Sequence, residues 1–168
     1  MSLSMHAASV QTFDTMLRAL GNVIAKAKAQ CEAKKIDPEA MTGARLYPDM
    51  FPFWRQVCLA SDFAKGAASR LAGVETPSYE DKERNFEELT QRIEKTREFI
   101  KSIAADKFAD ASKRPITLKI GGQDVTMSGD AYLLNVATPN FYFHVTTAYD
   151  ILRHNGVEVG KRDFLGRT

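Results

Sequence analysis

At 168 residues the chain has the length of one domain and can bury most of its apolar surface around a single core. Hydrophobic residues at 44% and charged residues at 26% are the proportions of a folded globular protein and exclude a largely disordered one. The 23 basic and 21 acidic residues leave a net charge of +2 with no long block of one sign, so nucleic acid is not the expected partner.

No apolar run reaches the roughly 20 residues a bilayer requires, and the N-terminus lacks the basic-then-apolar order of a secretory signal. A cytoplasmic protein without a membrane partner is expected. The opening Met1-Ser2-Leu3-Ser4-Met5 reads as a cloning remnant, covering about residues 1–4, ahead of a native start. Two cysteines, Cys31 and Cys58, stand on different predicted helices without paired spacing, which predicts reduced thiols rather than a disulfide framework or a zinc knuckle.

From about Ser9 to Glu32, Val10, Phe13, Met16, Leu17, Leu20, Val23, Ile24 and Ala27 recur three or four apart, predicting an amphipathic helix. A loop with Pro38, Gly43, Pro48 and Pro52 then leads to a second helix from about Pro52 to Ala72, with Gly73 as its stop. Small residues at Ala60, Ala64, Gly66, Ala67 and Ala68 should admit a close neighbour or a pocket wall. Ser78-Tyr79-Glu80-Asp81 has the cap and first-turn acids of a helix start, so a third helix is predicted from there to about Ala104. Its buried stripe is Phe86, Leu89, Ile93, Thr96, Phe99, Ile100 and Ile103, and Lys82, Arg84, Glu87, Glu94 and Lys95 form the solvated face.

Between Pro115 and Ser128 the period changes to two, with Ile116, Leu118 and Ile120 before Gly121-Gly122 and Val125 and Met127 after it, which predicts a β-hairpin. Two strands are not stable alone, so the hairpin must lie against helices. A turn or short helix follows at Ser128 to Val136. The fourth helix opens near Pro139 and closes at Asn155-Gly156, with Phe141, Val145, Ala148 and Leu152 on one stripe and Asn140, His144, Thr147 and Ile151 on the next. The expected fold is all-α: one domain over residues 1–168, a four-helix bundle with a small β-hairpin inserted before the last helix.

The residues Pro139-Asn140-Phe141-Tyr142-Phe143-His144, Ala148-Tyr149, Leu152-Arg153 and Gly160-Lys161-Arg162-Asp163-Phe164-Leu165-Gly166, with Arg55-Gln56-Val57-Cys58, Asp62-Phe63-Ala64 and Ser69-Arg70-Leu71-Ala72-Gly73, carry a likeness over essentially the whole chain. They resemble an uncharacterised bacterial branch, a domain of unknown function, of the DinB/YfiT-like four-helix-bundle superfamily. The resemblance implies an up-down-down-up order of the helices. It also implies a divalent metal, zinc or nickel, held by one histidine on the second helix and two spaced by four on the last, in members that include thiol-dependent transferases and isomerases. Residues four apart share a helical face and can aim two imidazoles at one ion. Here His144 matches the second of that pair, Asn140 replaces the first, and the second helix has no histidine, offering Gln56, Cys58, Ser61 and Asp62 instead.

One imidazole, an amide and a carboxylate make a poor metal site, so no cofactor is expected. His144 has three readings: a core residue hydrogen-bonded to Asn140, Tyr149 or a second-helix group; a small-molecule contact in the former metal pocket; or, if a metal site exists, its ligand. His144, Asn140, Asp62, Gln56, Cys58 and Tyr149 are the candidate pocket residues, and no catalytic residue is assigned. The expected function is a small-molecule-binding or structural homodimer that has lost the metal triad. Phe51, Phe53 and Trp54 supply either a dimer surface or core packing. The alternative is a metal-dependent transferase or isomerase acting on a thiol adduct, with His144 as base or ligand. No glycine-rich phosphate loop or nucleophile elbow competes with these readings.

Overall fold

A computed structural model describes residues 4–167, so most of the expected cloning remnant, residues 1–3, lies outside the described residues. A π-helical turn, Ala7–Gln11, runs directly into α1, Thr12–Lys34. The periodic apolar positions of α1 are its buried ones, including Phe13, Leu17, Leu20, Ile24 and Ala27. A short α2, Pro38–Thr42, follows, capped by Asp37, whose carboxylate accepts from the Glu39 amide at 3.0 Å. This turn of helix falls within the predicted loop.

Helix α3, Phe53–Ala72, ends where expected. Gly73 adopts φ 68°, a left-handed conformation that costs other residues more, and the Val74 amide closes the end on the Ser69 carbonyl at 3.0 Å. Ala60, Ala64, Ala67 and Ala68 are all fully buried. They let α6, Thr138–His154, pack on α3 more extensively than any other helix does, and α4, Phe86–Ser102, packs on α3 and on α1. The rings of Phe13 and Phe141 meet at 4.6 Å in the centre of this core. Phe53 is fully buried, the core-packing alternative of the two the sequence allows; Trp54 is half-buried under the Arg84 guanidinium at 3.7 Å, and Phe51 alone of the three is exposed.

The start of α4 is a second correction. Residues 74–85 are not helical, and Asn85 is the cap: its side chain accepts from the Glu88 amide at 2.9 Å, while the Glu88 carboxylate reaches back to the Arg84 amide at 2.8 Å. The first bond satisfies one free helix-end donor, and the second ties the residue before the cap to the first turn. The acids that resembled a first turn, Glu80 and Asp81, lie instead in an extended strap across α3 and α4.

The hairpin forms as predicted, β1 Pro115–Ile120 and β2 Gln123–Ser128, antiparallel with Pro115 opposite Ser128 and Ile120 opposite Gln123. Gly121 at φ 59° and Gly122 at φ 84° make the two-residue turn that matches strand twist. Ile116 is buried against the helices, whereas Ile120 near the tip is 46% exposed. From β2 the chain passes through α5, Gly129–Tyr132, and a π-helical turn, Leu133–Ala137, into α6. The tail adds α7, Lys161–Phe164, against α1. The architecture is therefore mostly helical with one small two-stranded sheet, and no described helix is long and apolar enough to cross a membrane.

Candidate functional site

His144 lies on the α6 face that packs on α3 and is only 8% exposed. Its Nδ1 stands 2.7 Å from the Gln56 side-chain oxygen, while the Gln56 amide nitrogen donates to the Phe51 carbonyl at 3.1 Å. The second bond orients the amide, so His144 Nδ1–H is the donor to Gln56 and the lone pair is on Nε2. Among the described residues, no protein group pairs with that Nε2. Phe63 stacks on the imidazole at 5.5 Å and Phe143 meets it edge-on at 5.3 Å. Burial, helped by the positive charge of Arg55, lowers the imidazole from 6.5 to about 4, so it is neutral at physiological pH. Of the partners considered from sequence, a second-helix group is the one used.

Asn140 stands one turn earlier on α6, with its Nδ2 donating to the Val136 carbonyl at 2.7 Å. It faces an open groove of about 690 Å³ between α3, the hairpin tip and the start of α6. Phe63, Leu118, Ile120 and Val136 supply the apolar walls, and Arg70 and Tyr132 stand at the same groove. Phe63 thus links Asn140's groove to His144. Tyr149 is elsewhere, its ring against Phe164 of α7 at 5.6 Å.

Asp62 and Cys58 belong to a third place, centred on a residue that the sequence pattern missed. Arg92 of α4 is 3% exposed, and its guanidinium donates to Asp62 at 2.7 Å, Asp81 at 3.2 Å, Glu83 at 2.9 Å and the Glu80 carbonyl at 3.2 Å. Lys65 also pairs with Asp62 at 2.5 Å, and Arg55 with Asp81. Asp62 is therefore a partly buried member of an ion-pair network and does not meet His144. Burial opposes the charge of Arg92, but Asp62 and Glu83 outweigh it and raise the guanidinium further. Burial alone would raise Asp81 as well, yet the hydrogen bonds and charges of Arg55 and Arg92 hold its carboxyl below the usual range. Tyr79 covers the network, with Lys65, Arg92 and Lys95 stacked on its ring at 4.6, 4.9 and 4.2 Å.

The donor sets do not fit a divalent metal. At the last-helix pair, Asn140 is tied to Val136 and His144 Nδ1 to Gln56, and among the described residues no group of three His, Cys, Asp or Glu ligands includes His144. Among the described residues, Cys58, Asp81 and Glu83 are the group whose ligand atoms lie within 4.8 Å of one another. There Arg55 and Arg92 already neutralise the carboxylates, and burial with the nearby Glu83 pushes the Cys58 thiol up to about 12. A metal needs the thiolate, and two guanidinium charges oppose its approach.

The family described as Domain of unknown function (DUF1993) matches residues 5–165. The chain belongs to that family. It is also DinB-like: the crystal structure of a DinB family member protein from Shewanella denitrificans has a TM-score of 0.90 to this family member at 38% sequence identity, covering 98% of this chain and 93% of the other. No curated protein matches it.

Arg92 and Arg70 are the site residues that sequence reasoning missed; for Gly66 the sequence points only to a close neighbour or a pocket wall. Gly66 carried a faint signal, a mid-helix glycine one turn before an arginine; a Cβ there would stand 2.5 Å from the Arg70 guanidinium. Arg92 carried none, because its partners lie 9 to 30 positions away.

Proposed function

We propose that the protein is a small-molecule-binding member of the DinB-like bundles that works without a metal: a single domain whose four long helices α1, α3, α4 and α6 follow the up-down-down-up order, acting as a cytoplasmic homodimer. The groove beside Asn140 carries this reading. At about 690 Å³ it lies within the roughly 300–1,000 Å³ of small-molecule sites, and it pairs apolar walls with a few polar groups. The donors at the last-helix pair support it too, since one neutral imidazole and a committed amide do not make a ligand set.

The test is metal content by mass spectrometry on protein purified without chelators, beside His144→Ala, together with ligand-observed NMR against a fragment library. The reading expects no stoichiometric metal and fragment contacts that Asn140→Trp removes. A stoichiometric divalent ion lost in His144→Ala would replace it with the metal-dependent transferase or isomerase on thiol adducts. For the homodimer, the exposed Tyr47 and Phe51 loop is the supporting surface. Sedimentation of Phe51→Asp should give monomers from a wild-type dimer, and an unchanged profile removes that surface.

A further inference from the structure

We infer that the groove selects amphipathic carboxylates, organic acids with one planar anionic group and an apolar body; this rests on the reading of the groove as the binding site. Two basic side chains, Arg70 and Lys119, line it, and no acidic one does. In a chain with nearly equal numbers of acids and bases, that local excess is a charge preference.

The decisive group is Arg70. The guanidiniums buried in the ion-pair networks face carboxylates, Arg55 with Asp81, Arg92 with three acids and Arg97 with Asp14 and Glu94, whereas Arg153 is held by the Val159 carbonyl at 2.8 Å. Arg70 has no ion pair among the described residues, and its Nη1 donates only to the Tyr132 phenol oxygen at 3.3 Å. Its position is built into the helix. The guanidinium folds back over Gly66, where an added Cβ would lie 2.5 Å from Nη1. A helix-interior glycine is disfavoured relative to alanine, and here the missing methyl makes room for the charged group. Tyr132 is 2% exposed and accepts from Arg70, which leaves its own O–H free to donate.

A guanidinium fork beside a phenol O–H suits the two oxygens of a planar carboxylate, since Arg binds that group through parallel N–H bonds. Phe63, Leu118, Ile120 and Val136 would cover the apolar body, and Asn140, with one N–H committed to Val136, keeps a second N–H for a polar substituent. The hairpin tip thus forms one wall of the acid site.

Isothermal titration with 4-phenylbutyrate and its uncharged amide, 4-phenylbutyramide, tests the inference. The wild type should bind the acid about tenfold to a hundredfold more tightly than the amide, the worth of hydrogen bonds to a charged group. Arg70→Gln should erase the preference. Gly66→Ala should weaken it while leaving thermal stability unchanged or higher, because only the flexible end of Arg70 has to move. Ile120→Asp, at an exposed tip position that tolerates change, should weaken the acid most. Equal binding of acid and amide, both weakened by Ile120→Asp, would overturn the anion preference and leave the groove as a site. Binding of neither at millimolar concentration, or binding untouched by all three variants, would overturn both.

Discussion

The buried imidazole makes stability depend on pH in a window of its own. An unfolded chain presents His144 near 6.5, and the fold holds it at about 4, so between those values the unfolded state binds the extra proton. Stability attached to this residue is complete above pH 6.5 and is lost as pH falls toward 4. The two-pKa linkage relation gives a loss of about 2 kcal/mol between pH 7 and pH 5, rising to about 3 kcal/mol by pH 4. The cost of protonation is an imidazolium in a buried place beside the charge of Arg55. Asp81 and Asp163, held below their ordinary 3.8, act at lower pH, where their stabilisation disappears only as they protonate. Urea unfolding at pH 7, 6 and 5 should therefore show a falling free energy in the wild type. In His144→Gln, which can still donate an amide hydrogen to Gln56, the same series should be flatter by about 2 kcal/mol. Equal slopes in the two proteins, or an NMR titration of His144 near 6.5, would refute the assignment of a neutral, buried, Nδ1-protonated ring.

Arg92→Ala should destabilise the fold by about 3 kcal/mol in urea, because it removes the buried guanidinium that three partly buried carboxylates share, and should speed tryptic cleavage at Lys82 and Arg84 in the strap. A loss under about 1 kcal/mol with unchanged cleavage would show that the network holds neither. Phe141→Ala removes the partner of Phe13 at the α1–α6 contact and should cost about 3–5 kcal/mol; a cost below about 2 would mean the core collapses into the space. Cys31 and Cys58 are both buried, and Cys58 is held protonated, so native protein at pH 8 should label with Ellman's reagent far more slowly than urea-unfolded protein. Rapid native labelling of Cys58 would contradict that environment.

What could be read along the chain was what local pattern encodes. Period three-and-a-half runs located α1, α3 and α6, and the Gly121-Gly122 dipeptide located the hairpin turn with its strands. The start of α4 went astray for a physical reason. Ser78-Tyr79-Glu80-Asp81 has the composition of a helix opening, but Tyr79 and Asp81 are recruited by Arg92, and Asn85 with Glu88 supplies the cap nearer the apolar run. Arg92 itself neighbours Ile93 on a helix rich in charge, where a guanidinium ordinarily reads as solvated. Only its non-local carboxylates make burial tolerable.

The site follows the same division. Asn140 in place of a second imidazole was visible as a missing ligand, whereas the contact that defines His144 spans 88 positions and depends on how α3 meets α6. Gly66 shows how a local observation leaves the partner open: a small residue on a buried face suggests an approaching helix or a pocket wall, and the group that uses the space is Arg70 of its own helix, at the groove. That difference bears on function. A stripe kept small for a neighbouring helix would tolerate any ligand chemistry nearby, but a gap that aims an unpaired guanidinium at a groove constrains the ligand's charge. On the proposed reading of the groove, Arg70 is its free donor, and recognition uses hydrogen bonds and charge where a metal triad would have used coordination.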